Sequence, residues 1–293
     1  MPEITFSEPL QYEFFKNALI AATLSGGLCG LVGVYVVLRK MSYIGHGLSH
    51  AIFGGAVVSF VASVNFYIGA GLWGFISALL INLTTRKRQI SSDVAIGVVT
   101  TASFALGVAI ISRASRFSRN FEAALFGNVL GVTSTDLFIL AGVAIAVAVL
   151  VAVLYKQLLF MTFDPEVAPA YGVRTGWVDT AFALILAAVV VATMRILGVT
   201  LIAAALVVPP ITGRLLTNSF SRMMAISTVM GAATGFLGIY ISYWWDIASG
   251  AAIVLLQATV FVVVISWTLV RARIAGRPTT SAIPLGSEAA AFD

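Results

Sequence analysis

Long, almost uninterrupted apolar runs constrain this chain more than any other feature. Several approach or pass the roughly 20 residues that an α-helix needs to cross the hydrocarbon core of a bilayer. Nine candidate spans follow one another at residues 17–38, 49–64, 67–85, 94–112, 136–155, 177–197, 200–216, 223–243 and 249–270. The second is short and rich in glycine and serine, so a broken or re-entrant segment is the alternative, leaving eight full crossings. Composition agrees: 60% of the 293 residues are hydrophobic and 10% are charged, whereas a soluble domain covers its surface with about a quarter charged residues. The expected fold class is all-α, a polytopic transmembrane helical bundle of eight or nine spans. Residues 1–16 do not read as a cleavable signal peptide. Glu3, Glu8 and Glu13 precede the first apolar run, where a signal peptide begins basic.

The same inventory excludes several chemistries. A single cysteine, Cys29, rules out a disulfide framework and a cysteine zinc cluster. Two histidines are too few for a multi-histidine di-iron enzyme. None of the lysines, Lys16, Lys40, Lys87 and Lys156, follows a glycine-rich phosphate loop, so P-loop binding of ATP is excluded. An ATP-driven function therefore needs a motor on another polypeptide. The formal charge of +5 does not point to nucleic acid, because the basic residues lie in short loops beside the spans. With the N-terminus outside, Arg39, Lys40, Arg86, Lys87, Arg88, Lys156, Arg174, Arg214, Arg222, Arg271, Arg273 and Arg277 all face the cytoplasm. Lys16, Arg113, Arg116, Arg119 and Arg195 remain outside. The positive-inside bias thus favours N-out and C-in, with the Arg113–Arg119 cluster as the exception.

Glycine carries a packing signal. Gly26 and Gly30 form a GxxxG pair in the first span, with Gly33 nearby, and Gly231 and Gly235 form another in the eighth. Small residues let helix backbones approach in lipid; tight packing within the chain is the expected use, and a dimer contact the alternative. No internal repeat is evident.

Polar residues inside apolar runs mark candidate chemistry, because leaving them unpaired in hydrocarbon costs several kcal/mol. His46 and His50, the only histidines, stand four apart, so on a helix both imidazoles share one face and can hold one divalent ion. A satisfied structural role is the alternative. Gly47 stands where the HExxH zinc proteases place their general base, so that reading fails. A polar interruption follows at 164–173. Asp164 is expected to cap a short helix with Pro165 at its first position, Glu166 near its positive end and Gly172 closing it. An ordinary loop is the alternative to a helix that docks a soluble partner. Pro209 and Pro210 lie inside the seventh span; Pro210 removes a donor and is expected to disrupt the helix and free carbonyls near Leu206, lining a cavity or simply making a kink. Finally, Asp246 or Ser249 is expected to cap the last helix at an aromatic outer interface, with an ion-path role for Asp246 as the alternative.

Taken together, these stretches resemble the membrane permeases of metal-uptake ABC transporters. The resemblance spans about 18–270. It rests on Val37-Leu38-Arg39-Lys40-Met41-Ser42 leading to Leu48-Ser49-His50-Ala51, then on Leu125-Phe126-Gly127-Asn128-Val129-Leu130. Asp164-Pro165-Glu166 with Ala168 and Gly172, the proline stretch 205–217, and Ser242-Tyr243 with Asp246, Ser249 and Gly250 follow in order. The charge bias makes 1–16 an extracytoplasmic segment, and a small, polar, proline-containing composition makes 274–293 a disordered cytoplasmic tail. The resemblance implies a permease domain at 17–273 with a cytoplasmic coupling helix near 164–173. It implies a multi-pass protein of the bacterial plasma membrane that is not itself an enzyme. Its partners would be two copies of an ABC ATPase subunit, a second copy of itself, an extracytoplasmic metal-binding protein and membrane lipid, with no nucleic acid. Asp164, Pro165, Glu166, Ala168 and Gly172 match the ATPase-coupling loop. Pro209, Pro210, Asp246 and Ser249 are candidate pathway or gate residues.

His50 matches the family histidine associated with the metal path, where the companion position is commonly Asp and here is His46. No permanently bound cofactor is implied; the transported ion is Zn2+ or Mn2+, with Fe2+ behind them. A second imidazole in place of a carboxylate is softer and tilts the expectation modestly to zinc. The alternatives from other classes are a motor-independent secondary metal transporter, which needs several intramembrane carboxylates, and an intramembrane metalloenzyme, which needs a further ligand and a base.

Overall fold

The computed structural model describes residues 7–86, 92–113, 127 and 129–275. Ten α-helices are described: α1 (Glu13–Leu38), α2 (Ser42–Val61), α3 (Phe66–Arg86), α4 (Ser92–Arg113), α5 (Ser134–Val153), α6 (Tyr155–Phe163), α7 (Thr175–Leu197), α8 (Ile202–Leu216), α9 (Phe220–Trp245) and α10 (Ser249–Ile274). Eight of them are long and apolar enough to cross a membrane, and there is no strand among the described residues. The tail beyond 275 and Arg116 and Arg119 lie outside the described residues, as do Leu125, Phe126 and Asn128 of the sequence motif.

The second apolar segment is a span, and the broken alternative falls: α2 is a continuous helix of 20 residues that begins at Ser42, earlier than the expected edge at 49. The short element is α8, with 15 residues. At a rise of roughly 1.5 Å per residue it covers about 22 Å, less than the hydrocarbon core of about 30 Å.

Helices α1, α2 and α7 form the interior; α10 is the most peripheral span. Glycines set how closely α1 meets its neighbours. A Cβ on Gly26 would strike the carbonyl of Gly231, one on Gly30 the carbonyl of Ser227, and one on Gly235 the carbonyl of Ala22. The two GxxxG motifs therefore interlock with each other inside one chain, as the packing argument expects.

Contacts divide the bundle into two ends. At one, Tyr35 near the end of α1 meets Phe182 of α7 and Phe220 of α9, which also meets Tyr155 and Phe163 of α6. At the other, Phe15 near the start of α1 packs edge-on against Tyr240 and Tyr243 of α9. The basic α1–α2 turn, with Arg39 and Lys40, and the 164–174 loop thus share the first end, as the alternating topology requires. A left-handed residue makes that α1–α2 turn tight. Lys40 has φ 56°, and the Met41 amide donates to Val36 O at 2.9 Å, a helix-ending arrangement in which glycine is the usual occupant.

Candidate functional site

Both histidines lie on α2, one turn apart, as their spacing predicts. Their ring centroids are 4.5 Å apart in an edge-to-face arrangement. Tyr43 flanks His46 at 5.8 Å and Phe104 of α4 flanks His50 at 5.3 Å. Both rings are half-buried. The Ser49 hydroxyl donates to the His46 carbonyl at 2.8 Å, which occupies it within the helix. A Cβ on Gly47 would run into Ile96 and Thr100 of α4, so this position, beside the histidine face, packs against a neighbour with no room for a general base. No group of three or more His, Cys, Asp or Glu side chains with metal-holding geometry occurs among the described residues. Chemically, the pair offers two imidazole donors and leaves the other coordination positions open. That suits brief contact with an ion more than permanent retention.

The 164–173 segment differs from its expected form. Asp164 does not start a helix; it terminates α6, with φ −142° and ψ 63°. Pro165 and Glu166 sit in the exposed turn that follows. The only regular piece is a single 3-10 turn, Ala168–Tyr171, where Pro169 is near the beginning. Proline fits there because the first turn needs no amide donor. Gly172 closes the turn in the left-handed region at φ 78°, as expected. Ala168 is buried, so the turn is pinned at one point, while Pro165, Glu166, Ala170 and Tyr171 stay exposed.

The proline stretch is also corrected. Helix α8 runs through Pro209 and Pro210 without a break. Pro210 cannot bond the Leu206 carbonyl, and that carbonyl lies where a Cβ on Gly33 of α1 would sit. The neighbouring Pro209 carbonyl accepts from the buried Ser227 hydroxyl of α9 at 3.4 Å. The prolines are thus absorbed by close helix packing. Asp246 does not cap α10. It ends α9 in the left-handed region at φ 51°, exposed at the α9–α10 corner. Ser249 is the first residue of α10 and is buried; Ala248 holds the cap position without a side-chain bond. No contact brings Asp246 or Ser249 to the histidines.

Two ion pairs, both on α7, are not evident in the sequence. Near its start, Asp179 pairs with Arg39 of the α1–α2 turn at 3.3 Å, and the guanidinium lies over the Phe182 ring, 4.7 Å from its centroid. Burial pulls the Arg39 pKa below its ordinary value while Asp179 opposes that pull. Near the end of α7, Arg195 pairs with Asp136 of α5. The same carboxylate accepts from the Tyr67 hydroxyl of α3 at 2.7 Å and, through its other oxygen, from the Thr133 amide and hydroxyl at 3.0 and 2.8 Å. Only the Thr133–Asp136 spacing, a reciprocal helix cap, is a local signal; the other partners come from distant segments.

A bundle with eight helices long and apolar enough to cross a membrane defines a polytopic membrane protein. The chain belongs to the ABC 3 transport family, whose pattern matches residues 11–268. It is 39% identical over 252 residues to the manganese transport system membrane protein MntC of Listeria monocytogenes, covering 86% of this chain and 90% of that one. It is 33% identical over 266 residues to a probable iron transport system membrane protein of Haemophilus influenzae, covering 91% and 98%. Among solved structures, PsaBC from Streptococcus pneumoniae in complex with Fab aligns at a TM-score of 0.81 and 35% identity, covering 89% of this chain and 95% of that one. The resemblance read from the sequence motifs holds at the level of family, and the chain is a multi-pass protein of the bacterial plasma membrane.

Proposed function

We propose that this chain is the membrane-spanning subunit of an ATP-driven importer of divalent metal ions. The observation that carries the reading is similarity over most of its length to a membrane protein named for manganese transport. The geometry of the 164–173 turn supports the reading. A partner motor needs a stiff surface to push on, and the turn at 164–173 is fixed by the buried Ala168 and by the closing Gly172 while its polar residues face outward. Asp164, Pro165, Glu166, Ala168 and Gly172 are assigned to ATPase docking on that basis. Two copies of the chain with two ATPase subunits, fed by an extracytoplasmic binding protein, make the working assembly. ATP-driven closure of the motors moves the 164–173 turns, and the bundle alternates which side its central path opens to.

His46 and His50 are the assigned metal contacts in that path. Two imidazoles completed by water hold an ion briefly, and too tight a site would trap it. The donor set by itself favours zinc over manganese. Relatives named for manganese and iron outweigh that argument, so manganese is the assigned cargo, with iron second; the tilt to zinc is withdrawn. A motor-independent carrier finds no support: Asp136 and Asp179 are each tied to an arginine, which leaves neither free to cycle protons. The test is reconstitution with the ATPase subunit in vesicles and measurement of ATP-dependent uptake of manganese, iron and zinc. Uptake that continues without nucleotide would refute the reading.

A further inference from the structure

The α1–α2 turn and the start of α7 are joined where the proposed docking loop ends and the histidine helix begins. Arg174 is the last residue before α7, and Asp179 lies five residues further on. Its partner Arg39 stands three residues before α2, and His46 lies just past the first turn of that helix, which starts at Ser42. Between them the backbone is tight: Lys40 is left-handed and the Met41 amide is bonded back to Val36. A displacement at Arg39 therefore passes into α2 with little slack.

The manner in which Arg39 is held is informative. Its side chain is 7% exposed, yet a single nitrogen, Nη1, reaches Asp179. The other nitrogens, Nε and Nη2, are buried with no hydrogen-bond partner among the described residues, and so is the hydroxyl of Tyr35 one turn earlier. A purely structural buried guanidinium is normally satisfied bidentately, since orphaned donors are costly. This one keeps spare donors beside an aromatic seat on Phe182. Those donors stay available to an acceptor that a movement of α7 would bring within reach. Close-packed elements with two discrete arrangements are what pass small displacements over distance.

We propose that the Arg39–Asp179 pair is the positioning link that transmits movement of the 164–174 loop and α7 to the histidine-bearing α2. This rests on the function proposed above. The test uses the full complex with its ATPase in vesicles, reading manganese uptake and ATP hydrolysis on the same samples for wild type, Arg39→Gln, Asp179→Asn, the double variant and Arg39→Lys. Each single variant is expected to assemble and hydrolyse ATP at the basal rate while manganese moved per ATP falls about tenfold. The double variant should be no worse than either single, because both remove one interaction. Arg39→Lys keeps the charge without the planar fork and should fall between. If Arg39→Gln fails to assemble, Arg39→Lys decides: a several-fold lower ratio supports the link, and an unchanged ratio overturns it. Unchanged ratios in the singles, or additive losses in the double, overturn it as well. If wild type hydrolyses ATP without moving manganese, the proposed function is what has failed.

Discussion

Gly26 of α1 and Gly231 of α9 face each other so closely that a Cβ on either would strike the carbonyl of the other. That reciprocity makes the contact unusually intolerant. Alanine at either position forces two backbones apart along the best-packed seam of the molecule, and overpacking of this kind costs about 1–3 kcal/mol. Gly26→Ala and Gly231→Ala should each lower the unfolding free energy in detergent by about that amount. Gly71→Ala and Gly142→Ala, where an added Cβ meets nothing within 4 Å, should not lower it and should raise it by up to about 1 kcal/mol, since alanine is the better helix former. Equal effects at all four positions would show that the loss of glycine, and not the seam, is responsible.

Sidedness can be read from the docking turn. Ala170 is exposed on the 3-10 turn, while the native thiol, Cys29, is fully buried and gives no background. An Ala170→Cys chain should resist a membrane-impermeant maleimide in intact cells and react in inside-out vesicles. Labelling from outside intact cells would place the turn on the wrong face for any cytoplasmic motor and would sink the proposed function.

Much of this fold is legible in the sequence because lipid imposes a simple rule: helices are long, apolar and continuous. The edges from Trp177 and Met223 onward fall within a few residues of α7 and α9. The histidine pair is legible for the same reason, since spacing fixes the shared face once the segment is helical. Composition misleads at the second segment, where glycine and serine suggest a break. Gly47, Gly54 and Gly55 are there because α2 is pressed between neighbours: their missing Cβ atoms make room for Ile96, Ser103 and Trp73. Proline misleads in the opposite sense at α8, since neighbouring helices occupy the space around the carbonyls that Pro209 and Pro210 disturb. The arginine partners of Asp136 and Asp179 are invisible locally. They lie 59 and 140 residues away in sequence, and no periodic pattern reports a pairing set only by how α7 sits in the bundle.

The histidine pair can be separated from a structural role by comparing three variants. His50→Ala and His46→Ala should each reduce ATP-dependent manganese uptake about tenfold or more, corresponding to at least ~1.4 kcal/mol at the limiting step. His46→Asp substitutes an oxygen donor that suits manganese and should retain or improve manganese uptake while lowering competition by zinc. If all three keep the rate and metal preference of the wild type, the rings serve packing against Tyr43 and Phe104 and not the ion.

The Asp136–Arg195 pair gives an asymmetric prediction. Asp136 is 4% exposed whereas Arg195 is 41% exposed, so the two partners are not equivalent. Arg195→Gln leaves the carboxylate still receiving bonds from Tyr67 and Thr133, and a half-solvated pair is worth about 1 kcal/mol or less. Asp136→Ala removes the shared acceptor, the carboxylate's half of the capping box and the tie between α3 and α5 at once, and hydrogen bonds to a charged group contribute about 1.5–3 kcal/mol each. Asp136→Ala should therefore destabilise the bundle by at least twice as much as Arg195→Gln in detergent unfolding. It should also expose the start of α5 to amide hydrogen exchange while leaving the α1–α9 seam protected. Equal losses for the two variants would mean that the ion pair itself, and not the hydrogen bonds collected by Asp136, holds this end together.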